Sequence, residues 1–248
     1  MSRKTVTPYK NSKDSKKQQV TQMFDNIATN YDALNRVISM GIDKKWRKTL
    51  VEMVRQQKPI SILDVATGTG DLALALSHIE GTEITGLDIA PEMLAIGKDK
   101  VADQNLGKRV SMVVGDAESL PFEDDSIDAV TVAFGVRNFG NLDKGLQEIY
   151  RVLKSDGQLY VLETSVPQKF PFKQGYQAYS SLFLPIVGQL FSKDKSAYEY
   201  LSDSAAAFPY GEAFNNILQK NGFAEVNHYP QTFGVVTIYN AKKTAIES

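Results

Sequence analysis

Cysteine is absent from the 248-residue chain, and only two histidines occur, His78 and His228. Without cysteine there is no disulfide, no thiolate nucleophile and no cysteine-ligated zinc site. Two histidines cannot form a three-histidine metal site, and we expect both to be structural. The 28 basic and 29 acidic residues nearly balance, which argues against a broad nucleic-acid surface, because such surfaces need a basic excess. With 42% apolar residues, the composition is that of a soluble globular protein.

Positive charge is concentrated at the amino terminus, where residues 1–20 hold six basic residues against Asp14 alone. This stretch lacks the apolar run of a signal peptide. We therefore predict a basic, disordered leader over residues 1–17, followed by a single domain over residues 18–248. An electrostatic tether to an anionic membrane is the alternative role for the leader. The missing signal peptide and the absence of cysteine predict a cytoplasmic protein.

The hydrophobic pattern divides the rest of the chain. Helical spacing of apolar residues predicts amino-terminal helices over residues 18–57, and strands then alternate with helices. We expect strands at residues 60–66, 83–89, 109–114, 127–134 and 158–163, the last after a turn at 155–157, and a helix and strand pair at 211–242. This alternation predicts an α/β fold with a mostly parallel sheet and helices on both faces. Ligands of such sheets bind beyond the carboxyl ends of the strands.

A glycine-rich turn follows the first predicted strand, in the run Asp64-Val65-Ala66-Thr67-Gly68-Thr69-Gly70-Asp71. Glycine lets the backbone approach a ligand closely, and the following helix presents free N–H groups to an anion. The spacing of Gly68, Gly70 and Ala73 also fits the loose dinucleotide fingerprint. The carboxylate of Asp64 would repel a pyrophosphate, however, and would suit a cationic amine such as that of an amino-acid group.

Two further carboxylates mark the ends of the next two predicted strands, Asp88 within the end of the second and Asp116 just after the third. Asp88 stands 18 residues after Gly70, where a carboxylate accepts hydrogen bonds from ribose hydroxyls. Asp116 could accept a hydrogen bond from an adenine amine, and the N–H of Ala117 could face a ring nitrogen. Asp88 could instead be an acidic residue at the start of a helix. Asp116 could instead belong to an ordinary Asp turn. Together with Asp64 they favour S-adenosylmethionine (SAM) over NAD. An NAD-dependent oxidoreductase and a non-enzymatic binding protein are the alternatives at this point.

The run Phe134-Gly135-Val136-Arg137-Asn138 follows the fourth predicted strand. The end of that strand faces the transferable group of a ligand laid along the first three strands. Arg137 and Asn138 are therefore candidates for catalysis. The alternative is a surface arginine on a loop that leads to the helix cap at Asn141.

The chain resembles the menaquinone/ubiquinone biosynthesis C-methyltransferases of the UbiE/MenG type over about residues 18–242. The resemblance is carried by residues 24–28, Tyr31-Asp32, 35–47, 64–71, 134–138 and 151–154. The run at residues 64–71 is generic to class I methyltransferases. The amino-terminal signature and the run at residues 134–138 are specific to the family.

This resemblance implies the class I SAM-dependent methyltransferase fold, a Rossmann-like seven-stranded sheet with one antiparallel strand. It implies methyl transfer from SAM to a ring carbon of demethylmenaquinol, giving menaquinol. The benzoquinol precursor of ubiquinone and a different small molecule are the alternative acceptors. The candidate cofactor-binding residues, from the motifs and the resemblance together, are Asp64, Gly68, Thr69, Gly70, Asp88, Ile89, Asp116, Ala117 and Ala133. Ala133 stands where some relatives carry serine, so one hydroxyl contact to the cofactor is expected to be missing.

Arg137 and Asn138 are expected to face the quinol. The acceptor must be the reduced quinol, because a quinone ring is not nucleophilic. A guanidinium stays protonated in proteins, so we expect Arg137 to stabilise a phenolate rather than to accept a proton. We expect Asn138 to position an oxygen or a water. No metal is expected, since the sulfonium is already an electrophile.

An uncharged stretch of 19 residues runs from 174 to 192. A transmembrane helix needs roughly 20 mainly apolar residues, but the glutamines, serines, glycines and Pro185 of this stretch argue against a span. We instead expect residues 170–205 to form a lid over the quinol with an apolar face for the prenyl chain. A buried helix over the sheet edge is the alternative. The expected partners are a prenylated quinol, the inner membrane surface in transient contact, and a second copy in a homodimer.

Overall fold

The computed structural model describes residues 6–183 and 195–244. Within them, seven strands form one sheet in the order β3-β2-β1-β4-β5-β7-β6. The strands are β1 (Ser61–Val65), β2 (Glu83–Asp88), β3 (Val110–Val114), β4 (Ile127–Ala133), β5 (Leu153–Thr164), β6 (Ala224–Gln231) and β7 (Val236–Lys242). Strands β1 to β5 pair in parallel, and β7 is antiparallel to both of its neighbours. The predicted sheet with one reversed strand is confirmed.

Helices cover both faces of this sheet. Two precede it, α1 (Lys16–Ile38) and α2 (Asp43–Gln56), and three lie between strands, α3 (Asp71–Leu76), α4 (Pro91–Asp103) and α5 (Leu142–Val152). After β5 come α6 (Phe172–Ala178), a π-helical turn (Tyr179–Phe183), α7 (Lys195–Ala207) and α8 (Glu212–Lys220). Pro91 stands at the start of α4. The Asn141 side chain caps α5, as the sequence predicts.

The core is split between the two sheet faces by the alternation of side chains along each strand. On β1, Leu63 and Val65 belong to the cluster that α5 and α8 cover, whereas Ile62 belongs to the cluster under α2, α3 and α4. Strands β1 and β4 and the second half of β5 are buried on both faces, as the central strands of such a sheet are. The strand order reverses between β1 and β4, which places the glycine-rich turn and residues 134–138 at the same edge.

Helix α1 lies across that edge. A capping box of Ser15 and Gln18 starts the helix at Lys16, inside the stretch predicted as a disordered leader. The N–H of Tyr9 also donates to the Gln19 side chain (2.9 Å). The structure therefore corrects the leader boundary at residue 17, because the local cap and these bonds order residues that composition alone marked as a charged tail. Residues 1–5 lie outside the described residues.

The predicted turn at residues 155–157 is a bulge inside β5. Ile127 of β4 pairs with Leu153, whereas Ala129 pairs with Gln158, so β5 holds three extra residues between these pairs. Asp156 adopts a left-handed backbone (φ +65°), and its N–H donates to the carbonyl of Lys243. Residues 155–157 therefore form a bulge within a longer strand instead of a separate turn, because the chain beyond β7 supplies hydrogen-bond partners.

The carboxyl-terminal strand pair is confirmed, with β6 and β7 joined by a short 3-10 turn (Thr232–Gly234). His228 of β6 bonds the Asn215 amide of α8 (2.8 Å). The uncharged stretch at residues 174–192 lies partly outside the described residues. Among the helices that are described, none has the length and apolar character that a membrane crossing requires.

We expect Met23→Ala to destabilise the protein through the packing of α1. Met23 is fully buried and packs with Met93 and Ala90 at the start of α4. Truncation of a buried methionine costs about 2–5 kcal/mol of unfolding free energy. Chemical denaturation would measure this change, with the exposed neighbour Gln22→Ala as the matched control. Equal unfolding free energies of the two variants would show that α1 is not packed as described.

Candidate active site

Asp88 joins the glycine-rich turn to the start of α4. Its carboxylate accepts hydrogen bonds from the N–H groups of Gly68 (2.7 Å) and Ala90 (2.9 Å). Burial raises the pKa of Asp88, and these backbone bonds oppose part of the rise. Ala66, Gly68 and Gly70 hold the turn open with left-handed backbones, at φ +55°, +58° and +80°. The Asp88 carboxylate, predicted to accept hydrogen bonds from ribose hydroxyls, is thus held in place by the backbone of the glycine-rich turn.

Asp64 is buried behind the turn rather than aimed into a cavity. Its two oxygens accept hydrogen bonds from the hydroxyls of Thr67 and Thr131, each at 2.6 Å. Burial raises the pKa of Asp64 to about 6, although both hydroxyl bonds favour the ionised form. Because Thr131 lies on β4, the carboxylate ties together the two strands at which the sheet order reverses. Its contact with a cationic amine stays a prediction.

Thr69 belongs to a polar network that holds α1 on the turn. Its hydroxyl donates to Asp32 of α1 (2.6 Å) and accepts from Lys100 of α4 (3.1 Å). Lys100 also forms ion pairs with Asp32 (2.5 Å) and Asp71 (2.7 Å). Lys100 of α4 belongs to no sequence motif, so its contacts could not be predicted from the sequence. Asp32 belongs to the amino-terminal signature, but its partner is visible only in the fold.

A cleft opens at the carboxyl ends of β1, β2 and β3. Six predicted cofactor residues line it, namely Gly68, Asp88, Ile89, Asp116, Ala117 and Ala133. Asp64, Thr69 and Gly70 stand behind this lining and support it. The structure therefore brings all nine residues into one region, but in two layers that the sequence does not distinguish.

Lys17 of α1 forms an ion pair with Asp116, the residue predicted to accept a hydrogen bond from an adenine amine. Its ammonium lies 2.5 Å from the Asp116 carboxylate and 3.4 Å from Glu118. The hydrogen bond to Asp116 raises the pKa of Lys17. This contact also went unseen in the sequence, because it joins residues 99 positions apart.

Met112 fills the space beneath the turn and packs closely against Gly70 and Gly86. A Cβ atom added at Gly70 would lie 2.5 Å from the Met112 Cε, and one at Gly86 would lie 2.7 Å from its Sδ. A Cβ at Gly97 would lie 3.5 Å from the same Cε, which is an ordinary van der Waals distance. Gly86 lies outside any sequence motif, and it serves packing rather than a ligand.

A second, larger cavity of about 610 Å³ lies between α1, α2, α6, α7 and the β6–β7 turn. This volume is in the range of small-molecule sites. Its lining is mostly apolar and includes Trp46, Tyr176 and Phe233. Tyr31 and Phe134 line both this cavity and the first cleft. The two spaces therefore meet at these two rings.

Arg137 and Asn138 lie on a 3-10 turn at this junction (Val136–Asn138). Asn138 lines the first cleft, and its side-chain oxygen accepts from the Tyr200 hydroxyl (3.0 Å). Arg137 lines the second cavity and forms an ion pair with Glu163 of β5 (2.5 Å). Burial would lower the pKa of Arg137, but the Glu163 carboxylate outweighs this effect and leaves the pKa raised. Arg137 is therefore a fixed cation, as the sequence analysis expected.

Lys16 attaches this 3-10 turn to α1. Its ammonium donates to the carbonyl oxygens of Arg137 and Phe139, each at 2.9 Å. Burial lowers the pKa of Lys16 to about 8. The sequence places Lys16 in the predicted leader, so its contact with the 3-10 turn follows only from the packing of α1.

Comparison with known proteins agrees with this geometry. Residues 12–243 match the ubiE/COQ5 methyltransferase family. The chain belongs to this family. A demethylmenaquinone methyltransferase of Bacteroides fragilis is 45% identical over 239 residues, covering 96% of this chain and 97% of the relative. A ubiquinone/menaquinone biosynthesis C-methyltransferase of Geotalea daltonii is 44% identical over 92% of this chain and 97% of its own. The predicted enzyme class, a C-methyltransferase with SAM as methyl donor, is confirmed.

Solved structures share the fold of this ubiE/COQ5 family member. A SAM-dependent methyltransferase from Thermotoga maritima aligns with a TM-score of 0.64 at 16% identity, over 91% of this chain and all of its own. The CurJ carbon methyltransferase aligns with a TM-score of 0.63 at 13% identity, over 92% of this chain and 68% of its own. At such identities the likeness supports the class I fold alone.

In this methyltransferase we expect Asp64 to make stability depend on pH. Its pKa rises from 3.8 to about 6 on folding, so the folded protein binds more protons between these values. The unfolding free energy therefore falls as pH rises from about 4 to 6, by up to about 3 kcal/mol. Asp64→Asn lacks this titration. Chemical denaturation at several pH values would measure the unfolding free energy of both proteins. We expect that of the unaltered protein to fall relative to that of Asp64→Asn as pH rises, and an equal pH dependence in both would contradict the assignment.

Proposed function

We propose that this methyltransferase transfers a methyl group from SAM to a ring carbon of demethylmenaquinol and so produces menaquinol. The observation that carries the proposal is the junction of the two cavities at Tyr31 and Phe134, with Arg137 on one side and Asn138 on the other. The names of the relatives support the acceptor. The same reaction on the benzoquinol precursor of ubiquinone is the second candidate, favoured by relatives named for both quinones.

The first cleft suits an adenosine-containing sulfonium. Its carboxylates, Asp88 and Asp116, can accept hydrogen bonds from ribose hydroxyls and an exocyclic amine. Ile89, Ala117 and Ala133 supply apolar walls for a flat ring. Asp64, Thr69 and Gly70 hold the turn that carries Gly68. When bound, SAM supplies an electrophilic methyl group and needs no metal to activate it.

The second cavity suits the quinol. The ring carbon becomes nucleophilic when a neighbouring hydroxyl ionises, and a fixed cation in a mostly apolar cavity stabilises that charge. Arg137 provides this cation, and Asn138 positions an oxygen or a water. A new carbon–carbon bond forms as the carbon–sulfur bond breaks, and the ring releases one proton. The cavity also holds the ring in place, which lowers the entropic part of the barrier.

The rim of the second cavity suits contact with a membrane. Phe172 and Phe233 stack there at 3.9 Å between ring centroids, and Phe233 is 68% exposed. Met40, also in the lining, is 67% exposed. The exposed Lys169 and Lys173 flank this region and would favour anionic lipids. We propose that the prenyl chain leaves the cavity here, at the cytoplasmic face of the membrane. A homodimer stays a prediction.

The acceptor can be identified by anaerobic transfer of a labelled methyl group from SAM. We expect label in chemically reduced demethylmenaquinol, since the ring must be the nucleophile, and none when the same compound is supplied as the quinone. The reduced benzoquinol precursor of ubiquinone, assayed in parallel, decides the second candidate. No label in either quinol, with S-adenosylhomocysteine binding intact, would contradict the proposed acceptor.

Membrane contact can be tested with vesicles. We expect the protein to sediment with vesicles of phosphatidylglycerol and phosphatidylcholine, and the double variant Phe172→Ser, Phe233→Ser to lose most of this binding. Tyr229→Ser, which removes an exposed aromatic ring of β6, is the matched control and should bind as the unaltered protein does. S-adenosylhomocysteine binding should be the same in all three. Equal sedimentation of the double variant would exclude the rim as the contact surface.

A further inference from the structure

The ion pair between Arg137 and Glu163 joins the ends of two adjacent strands. Arg137 stands just beyond β4, and Glu163 is the penultimate residue of β5. The Arg137 side chain is 9% exposed and the Glu163 side chain is fully buried. The N–H and hydroxyl of Thr164 also donate to the same Glu163 oxygen, at 2.7 and 3.1 Å. The carboxylate is thus held by its own strand and in turn holds the guanidinium.

This pair is incompletely satisfied. Among the described residues, the Arg137 Nε and the second carboxylate oxygen of Glu163 are buried without a hydrogen-bond partner. Arg151 differs, because its guanidinium bonds Glu148, Asp124 and two backbone carbonyls. A buried pair with unmet hydrogen bonds contributes little to stability, since desolvation offsets its attraction. Arg137 also lines the second cavity, and its described side-chain hydrogen bond to Glu163 uses Nη1 alone.

We propose that Glu163 is a positioning residue for methyl transfer, which holds the Arg137 guanidinium at the cavity wall and balances its charge until an acidic hydroxyl binds. The inference rests on the proposed function, because it takes the quinol oxygen as the group that Arg137 meets. Glu163 does not line either cavity, so it acts through Arg137.

Two roles of Glu163 can be separated by substitution. Glu163→Gln keeps the length of the side chain and removes its charge. Glu163→Asp keeps the charge and shortens the reach by one methylene group. Without the opposing charge, the guanidinium acts more strongly on the bound hydroxyl, so the phenolate forms at lower pH. With a shorter reach, the guanidinium shifts away from the oxygen, while the net charge is unchanged.

The experiment measures kcat, KM for reduced demethylmenaquinol and the pH profile of kcat for the full-length protein. We expect Glu163→Gln to move the profile to lower pH by about one unit or more. We expect Glu163→Asp to lower kcat by about tenfold to a hundredfold, with KM nearly unchanged and the midpoint of the profile unmoved. S-adenosylhomocysteine binding should stay as in the unaltered enzyme for both variants.

Glu148→Gln is the matched control, since it removes the carboxylate of the Arg151 pair and should change neither kcat nor the profile. A merely structural Glu163 would change the melting temperature but leave kcat and the midpoint of the folded variants unaltered, and this result would overturn the proposal. If Glu163→Gln does not fold, the Asp variant decides by the same criteria.

Arg137→Lys separates the proposed function from the inference on Glu163. Full turnover of Arg137→Lys would contradict the role proposed for Arg137, and the positioning role of Glu163 would be contradicted as well. Loss of turnover in Arg137→Lys with normal kinetics in both Glu163 variants would overturn the inference on Glu163 alone.

Discussion

The attachment of α1 to the glycine-rich turn determines the shape of both cavities. Lys100 lies between two carboxylates, Asp32 on α1 and Asp71 at the start of α3, and so joins the helix to the turn. The ring of Tyr31, the residue before Asp32, is then held where the two cavities meet. Lys16 fixes the other end of the helix to the turn that carries Arg137. One helix outside the sheet thereby lines both cavities at their junction.

Buried charge is concentrated at this edge of the sheet. Asp64 and Asp88 are carboxylates whose pKa burial raises, and Arg137 is a buried cation opposite Glu163. Such groups cost stability, and they persist at sites where chemistry needs them. The acidic side of the site suits a cationic sulfonium, and the cationic side suits a phenolate. The electrostatic layout thus matches a reaction in which a positive methyl donor meets a negative acceptor.

The sheet and the cofactor cleft could be predicted because their signals are local. Strand alternation marks β1 to β5, and Asp88 ends β2 while Asp116 stands two residues beyond β3. Other parts depend on contacts between distant residues. The sequence around Glu163 predicts an ordinary strand residue. Its contact with Arg137 follows only from the pairing of β4 with β5. Likewise, the bulge at residues 155–157 arises from pairing with the chain beyond β7, which no local turn signal contains.

Gly86 of β2 lies between Met112 and Thr67, and this packing constrains how this family member can change over time. A Cβ added at Gly86 would lie 2.7 Å from the Met112 Sδ and 2.9 Å from the Thr67 Oγ1, so a smaller residue at 112 alone would not make room for it. Gly70 would not be freed, since its left-handed backbone (φ +80°) disfavours other residues regardless of space. A side chain at Gly86 therefore requires changes at two other positions, and one of them, Thr67, belongs to the ligand-binding turn and donates a hydrogen bond to Asp64.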